Sequence, residues 1–245
     1  MAQEAPETFD KYCKEHPDVT FTEWIRDLAE PMWVRGLNHR FVEELAAGTI
    51  DDEVFARYLV QDNAFVDHLV SLIGRAIGDA PTMKEKRRIE RFLAVRTGDE
   101  DNTYFEDTFE KLGVPETQRT DPDRHPVTEA FADVLARGAY EGDYEETLAV
   151  LLPTGWFYLK WADSIVDADP GKTHLREWID IHTDETLYDF VAWQRSELDR
   201  LGPKLSPRRQ QRVGRHFHRT MVLEEAFFDI AYEPNSWTRR PVSEY

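Results

Sequence analysis

The spacing of apolar residues is what most narrows the folds open to this chain. They recur at i, i+3, i+4 and i+7 along most of its length, and the Val/Ile alternation of a half-buried strand is absent. Phe21, Trp24, Ile25 and Leu28 set the first such pattern. A long helix then opens at Asp51/Asp52, both candidate N-caps, and carries Val54, Phe55, Tyr58, Leu59, Phe65, Val66, Leu69, Leu72, Ile73 and Ile77. Further helices are predicted over 84–95 and over 103–112, the latter stopped by Gly113 with Pro115 beyond it, and then over about 127–138, 144–167, 173–183, 184–201 and 206–232. Turns fall at Gly142, Pro170-Gly171 and Gly202-Pro203, and 117–126 (TQRTDPDRHP) is expected to be a loop. The implied architecture is all-α, with antiparallel helices around one core.

One domain suffices for 245 residues, of which 41% are hydrophobic, and 14 Phe, 9 Tyr and 7 Trp supply a large core. No apolar run is long enough to span a membrane, and the N-terminus lacks the basic-then-apolar order of a signal peptide. Cys13 is the single cysteine and has no internal partner, so a reducing, cytoplasmic setting is expected. The formal charge of −18 argues against nucleic acid and anionic lipid as partners. The basic residues are mostly Arg, with 22 Arg against 8 Lys, and an acidic, Lys-poor surface of this kind resembles those of salt-loving organisms. Arg208, Arg209, Arg212, Arg215 and Arg219 form the longest basic cluster, read here as a solvated or subunit-facing stripe.

Ionisable groups on an apolar helical row are the informative exceptions. Asp62 interrupts the row Phe55, Tyr58, Phe65, Leu69, and Glu224 interrupts the row Val213, Phe217, Met221, Phe228, Ala231. Each either pairs with a core arginine or lines an internal polar pocket. The segment LLPTGWFYLKWAD adds Pro153 and Gly155 inside a helical pattern. A proline there is expected to kink the helix and present Thr154 irregularly, with Tyr158 one turn on. The segment 98–101 (GDED) holds further carboxylates and is expected to be a solvated loop.

Three blocks containing these residues, YLVQDNAFVDH (58–68), LAVLLPTGWFYLKWAD (148–163) and LEEAFFDIAYE (223–233), resemble the signature blocks of the TenA/thiaminase II family. NHRFVEELAAGTI resembles its lead-in helix and turn. The likeness runs from about residue 20 to about 240, which leaves residues 1–19 as an N-terminal extension ahead of one domain, 20–245. It implies a haem-oxygenase-like helical bundle without haem or other cofactor, a homotetramer, and hydrolysis of thiamin-derived pyrimidines in thiamin salvage. It implies Asp62 as the pyrimidine-binding aspartate, Phe65 as a stacking wall, Tyr158 as a ring contact and Glu224 as the catalytic glutamate.

The departures are at Thr154, which stands where the family has its cysteine nucleophile, at Phe131, which replaces a tyrosine, and near His182, where another tyrosine is expected. The chain thus resembles the cysteine-lacking branch, linked to aminopyrimidine and formylaminopyrimidine hydrolysis. There Asp62 would orient the ring, Phe65, Tyr158, Phe131 and His182 would surround it, and Glu224 would shuttle protons. Thr154 would position water, being a poor nucleophile without an adjacent base. Glu225 points about 100° away from Glu224 on an ideal helix and falls outside such a pocket. Two other readings stand beside this one. A pyrimidine-binding regulator would need only the pocket. A metal-dependent oxygenase of the same fold would draw on Asp62/His68, His182 and His216/His218, but their spacing stacks no ligand pair, and no metal site is expected.

Overall fold

The structure is a computed structural model that describes residues 8–233, with backbone alone for 99–102. Among these residues thirteen α-helices follow one another: α1 (Phe9–Tyr12), α2 (Phe21–Asp27), α3 (Glu30–Leu37), α4 (Arg40–Ala46), α5 (Asp52–Asp79), α6 (Met83–Arg96), α7 (Asp99–Leu112), α8 (Glu116–Thr120), α9 (Pro126–Glu141), α10 (Tyr144–Ser164), α11 (Thr173–Ile181), α12 (Glu185–Leu201) and α13 (Pro207–Tyr232), with a 3-10 turn at Gly202–Lys204 before the last. There is no strand among the described residues. None of these helices is long and apolar enough to cross a membrane.

Caps set where the helices begin. Asp51 accepts the Glu53 amide at 2.8 Å to open α5, and Asp184 accepts that of Leu187 at 2.8 Å to open α12. Thr20 and Glu23 exchange reciprocal bonds at the head of α2. At the far end of α7, Gly113 takes the left-handed conformation (φ 69°) that the stop signal called for.

Helix α10 lies at the centre, packed on α5, α9, α12 and α13. Its stretch Leu148–Leu152 is apolar on every side and almost wholly enclosed, as a helix surrounded by others must be. Helix α10 continues through Pro153, the position of the expected kink, with neighbouring helices packed around it where the amide donor is missing. Gly155 matters for contact rather than for conformation, since a Cβ there would sit 3.1 Å from Val191 Cγ2 and 3.5 Å from Leu187 Cδ1. Its lack of a side chain lets α12 approach α10 closely.

Helices α5 and α9 run side by side in the same direction. Gln61 accepts from the Thr128 hydroxyl at 2.7 Å and from the His125 amide at 2.8 Å, and Phe65 meets Phe131 with ring centroids 4.5 Å apart. Further along, Arg75 donates to the Ala139 carbonyl at 3.2 Å.

Several expectations change. The supposed loop 117–126 contains α8, whose start suits the fixed φ of Pro115 and whose Arg119 donates back to the Val114 carbonyl at 2.8 Å. The backbone of the GDED segment belongs to α7 and its cap, not to a loop; the side chains of 99–102 lie outside the described residues. Within the N-terminal stretch, α1 seats Phe9 against Phe21 and Trp24. The basic stripe is solvated only in part. Arg208, Arg215 and Arg219 are exposed, whereas Arg209 and Arg212 reach the fully buried Glu146 at 3.0 and 2.7 Å. Burial pushes that carboxyl up, but the two guanidinium groups and the Asp143 amide outweigh it and hold it below its usual value.

Candidate active site

A cavity of about 130 Å³ lies between α10 and the ends of its neighbours, several times what one water needs. Six helices build the wall. Helix α5 contributes Asp62, Phe65 and, further along, Ile73; α10 contributes Leu151, Thr154, Gly155 and Tyr158. Tyr104 comes from α7, Trp178 and His182 from α11 and its cap, Phe92 and Arg96 from α6, and Leu187, Phe190 and Gln194 from α12. At 1.5 Å per residue, Asp62 to Ile73 spans about 16 Å along α5, so the cavity is a slot longer than one six-membered ring. Its polar end holds Asp62, Tyr158, Tyr104 and His182; its other end is mainly apolar.

Asp62 is 8% exposed and has no cation beside it. Burial pushes its carboxyl up to about 7. One turn earlier on α5, fully buried Tyr58 shares a hydrogen bond with Tyr158 across the bundle, hydroxyl to hydroxyl at 3.0 Å. Both tyrosines are held well above their usual range, by burial first and then by neighbouring charge that includes Asp62 and Glu224. Phe65 forms one side of the slot, braced from behind by Phe131.

His182 presents Nδ1 to the Trp178 carbonyl at 2.8 Å, so Nδ1–H donates and Nε2 keeps its lone pair. Enclosure lowers this ring to about 4, and it is neutral at ordinary pH. Its ring also lies 5.0 Å from that of Tyr158 and 4.4 Å from that of Trp178, edge-on to the latter. Thr154 donates its hydroxyl hydrogen to the Leu151 carbonyl at 2.8 Å, which leaves only lone pairs for a ligand.

Glu224 and Phe131 are not part of this wall. They belong to α13 and α9, which pack on other faces of α5 and α10. Phe131 therefore supports the slot without lining it. Glu224 is 1% exposed, its Oε1 has no hydrogen-bond partner, and burial, with Asp62 adding to it, holds the carboxyl well above the usual range. Its protonated, neutral form is thereby favoured. Tyr158 is the wall residue whose hydroxyl senses both this group and Asp62. Adjacent Glu225 points elsewhere and is held by Arg35 through two bonds of 2.6 and 2.7 Å. The two neighbouring glutamates thus divide into a structural ion pair and an unpaired acid.

Metal chemistry has no candidate cluster of His, Cys, Asp and Glu among the described residues. His68 lies 3.2 Å from Arg124, and His216 and His218 are on α13, away from the slot.

Tyr104, Arg96, Trp178 and Gln194 had not been picked out from sequence as site residues. Arg96 is ion-paired with Asp184, and Tyr104 donates to the His174 carbonyl at 3.0 Å. Gln194 is fully buried, with neither amide atom partnered. An orphaned buried polar atom costs about 1–3 kcal/mol. The signal for Gln194 was present: it interrupts the α12 row Leu187, Val191, Leu198, just as Asp62 and Glu224 interrupt theirs.

Known proteins share this fold. A profile of the TENA/THI-4/PQQC family matches residues 26–234. The chain is 22% identical over 226 residues to the aminopyrimidine aminohydrolase of Bacillus subtilis, covering 92% of this chain and 95% of that one. It is 21% identical over 217 residues to the Helicobacter pylori protein of the same name, covering 86% and 98%. Among solved structures, a TenA homologue from P. horikoshii OT3 superposes with a TM-score of 0.76 at 23% identity, over 88% of this chain and 99% of that one. One from Pyrococcus furiosus reaches 0.78 at 21%, over 86% and 100%. These likenesses establish the haem-oxygenase-like helical fold. With its profile matched over most of its length, the chain belongs to the TENA/THI-4/PQQC family.

Proposed function

We propose that this protein hydrolyses thiamin-derived aminopyrimidines, or their formylamino precursors, towards the hydroxymethyl pyrimidine, as the names of its relatives suggest. The observation that carries this reading is Asp62, an unpaired carboxyl at the polar end of a slot with room for one aromatic ring, poised near pH 7. An aminopyrimidine presents a ring nitrogen beside an exocyclic N–H. One carboxyl group satisfies both when a single proton is shared between it and the ring nitrogen, because one oxygen then serves the ring and the other accepts from the amine. A carboxyl near 7 is suited to that sharing. Phe65 offers the ring an apolar face, and Tyr158 and Tyr104 bound its edges.

Glu224, a buried carboxyl pushed towards its protonated form, is the proton source for the departing nitrogen. With an aminomethyl substrate, water supplies the hydroxyl to the exocyclic carbon, the carbon–nitrogen bond breaks, the nitrogen leaves as ammonia with the proton from Glu224, and the proton that the water gives up restores Glu224 to its acid form. Thr154 accepts a hydrogen bond from that water and does not attack, since its own hydrogen is committed to Leu151. No cofactor is required by this scheme, and the family resemblance suggests a homotetramer.

The position of Glu224 outside the cavity wall favours a second reading, in which the pocket binds a pyrimidine without converting it. Release of ammonia or formate from aminomethyl and formylaminomethyl pyrimidines by the purified protein decides between them. Turnover supports hydrolysis. Tight binding without product supports the binding protein, and neither binding nor product removes the pyrimidine reading altogether.

A further inference from the structure

We infer that Tyr58, a residue outside the cavity wall, sets the hydrogen-bonding polarity of the slot. It spends its own hydrogen on Tyr158 and so fixes the Tyr158 hydroxyl as a donor to the ring seated beside Asp62. This rests on the pyrimidine reading above and deepens it. Tyr58 stands one turn before Asp62 on α5 but does not line the slot. Its ring is fully enclosed, packed on Phe41, Trp178 and Phe227 with centroids 4.5, 5.8 and 5.8 Å away. Among the described residues its hydroxyl has one hydrogen-bond partner, the hydroxyl of Tyr158 at 3.0 Å.

Two hydroxyls can share a bond in either direction, and counting hydrogens separates the two. If Tyr158 donated, the Tyr58 hydrogen would be left in an enclosed core without an acceptor, which is costly. If Tyr58 donates, neither hydrogen is stranded, because Tyr158 lines the slot and can turn its own into it. Asp62 is the ionisable group that acts most strongly on the Tyr158 hydroxyl, which puts that hydroxyl at the polar end. The other hydroxyls and the imidazole of the wall have already spent their hydrogens. Tyr104 gives its own to the His174 carbonyl, Thr154 to that of Leu151, and His182 Nδ1–H to that of Trp178. An aminopyrimidine held by Asp62 through one ring nitrogen and its amine keeps a second ring nitrogen, whose lone pair needs a donor. Tyr158 supplies it. When the ring expels water from the slot, Tyr58 keeps the Tyr158 oxygen satisfied, and the hydroxyls strengthen each other as a chain.

The test is a double-mutant cycle on Tyr58→Phe, Tyr158→Phe and the two together. Calorimetry measures binding of an aminopyrimidine with a methyl group in place of the leaving arm, and of the pyridine in which C–H replaces the nitrogen remote from the amine. Tyr58→Phe should weaken pyrimidine binding about fivefold, by leaving the Tyr158 oxygen unpaired beside the bound ring, but not at all in the Tyr158→Phe background. Tyr158→Phe should cut the preference for pyrimidine over pyridine about tenfold. Without ligand, Tyr158→Phe should melt below the double variant, because it alone strands the Tyr58 hydrogen; a double variant that melts no higher overturns the assigned direction. Equal losses in both backgrounds would make Tyr58 a packing residue, and an unchanged affinity in folded Tyr58→Phe would remove its role. Both results leave the pyrimidine reading intact. Should Tyr58→Phe not fold, an unmoved preference over pyridine in Tyr158→Phe overturns the inference. A wild type that binds neither compound sinks both readings.

Discussion

Replacing Asp62 with asparagine tests the electrostatics of the site without invoking any ligand. The folded-state value of about 7 lies roughly 3 pH units above the ordinary 3.8, and each unit is worth about 1.4 kcal/mol. The sign follows from linkage. The folded state holds its proton more tightly than the unfolded chain, so this contribution to stability is complete below about pH 4 and is lost as pH rises towards about 7. At pH 8, ionised Asp62 costs the folded protein about 4 kcal/mol relative to an unperturbed carboxyl, and at pH 5, where folding must instead take up a proton, about 1.5. The substituted amide carries no charge at either pH and nearly matches a protonated carboxyl in shape. The stability of Asp62→Asn relative to wild type should therefore rise by about 2.5 kcal/mol between pH 5 and pH 8. Urea denaturation of both proteins at several pH values measures this, and titrations elsewhere in the molecule cancel in the difference. A difference that stays flat within about 0.5 kcal/mol, smaller than any shift of the size above, would mean that Asp62 titrates in the fold as it does in water. The site argument would then lose its foundation.

Three further outcomes are expected. Glu224→Gln should remove at least about 100-fold of turnover while pyrimidine affinity, read by calorimetry, changes less than about tenfold, because a proton source is lost but the slot is not. Pyrimidine binding should weaken as pH rises above about 7, roughly tenfold per unit, because neither Asp62 nor the ring then carries the shared proton; a Kd constant from pH 6 to pH 9 would contradict this. Thr154→Val should lower kcat by less than about tenfold, since a hydroxyl already donating to the Leu151 carbonyl is no nucleophile. Complete loss in a folded protein would restore a chemical role to that position.

Local signals were enough to place the main helices. Asp51, Gly113 and the apolar rows act over one or a few turns, and α5, α6 and α9 to α13 begin and end close to where those signals fall. The short α1 and α8 were missed, having too few residues to show a period. So was α3, whose row Met32, Trp33, Gly36 is brief and opens on a proline. The same one-dimensional reasoning singled out Asp62 and Glu224, because burying an ionisable group on an apolar row is costly wherever that row ends up.

What sequence alone determined, then, was the class of fold, the positions of the longer helices and the identity of the two buried acids, all consequences of spacing along the chain. Only the tertiary structure decided which faces meet. It put Asp62 in the cavity wall and Glu224 behind it, gave Glu225 to Arg35, and brought Tyr104, Arg96 and Gln194 from three separate helices around one slot. Helical periodicity says that a face is buried, but the neighbour it is buried against depends on contacts between residues distant in sequence, and no local pattern encodes those.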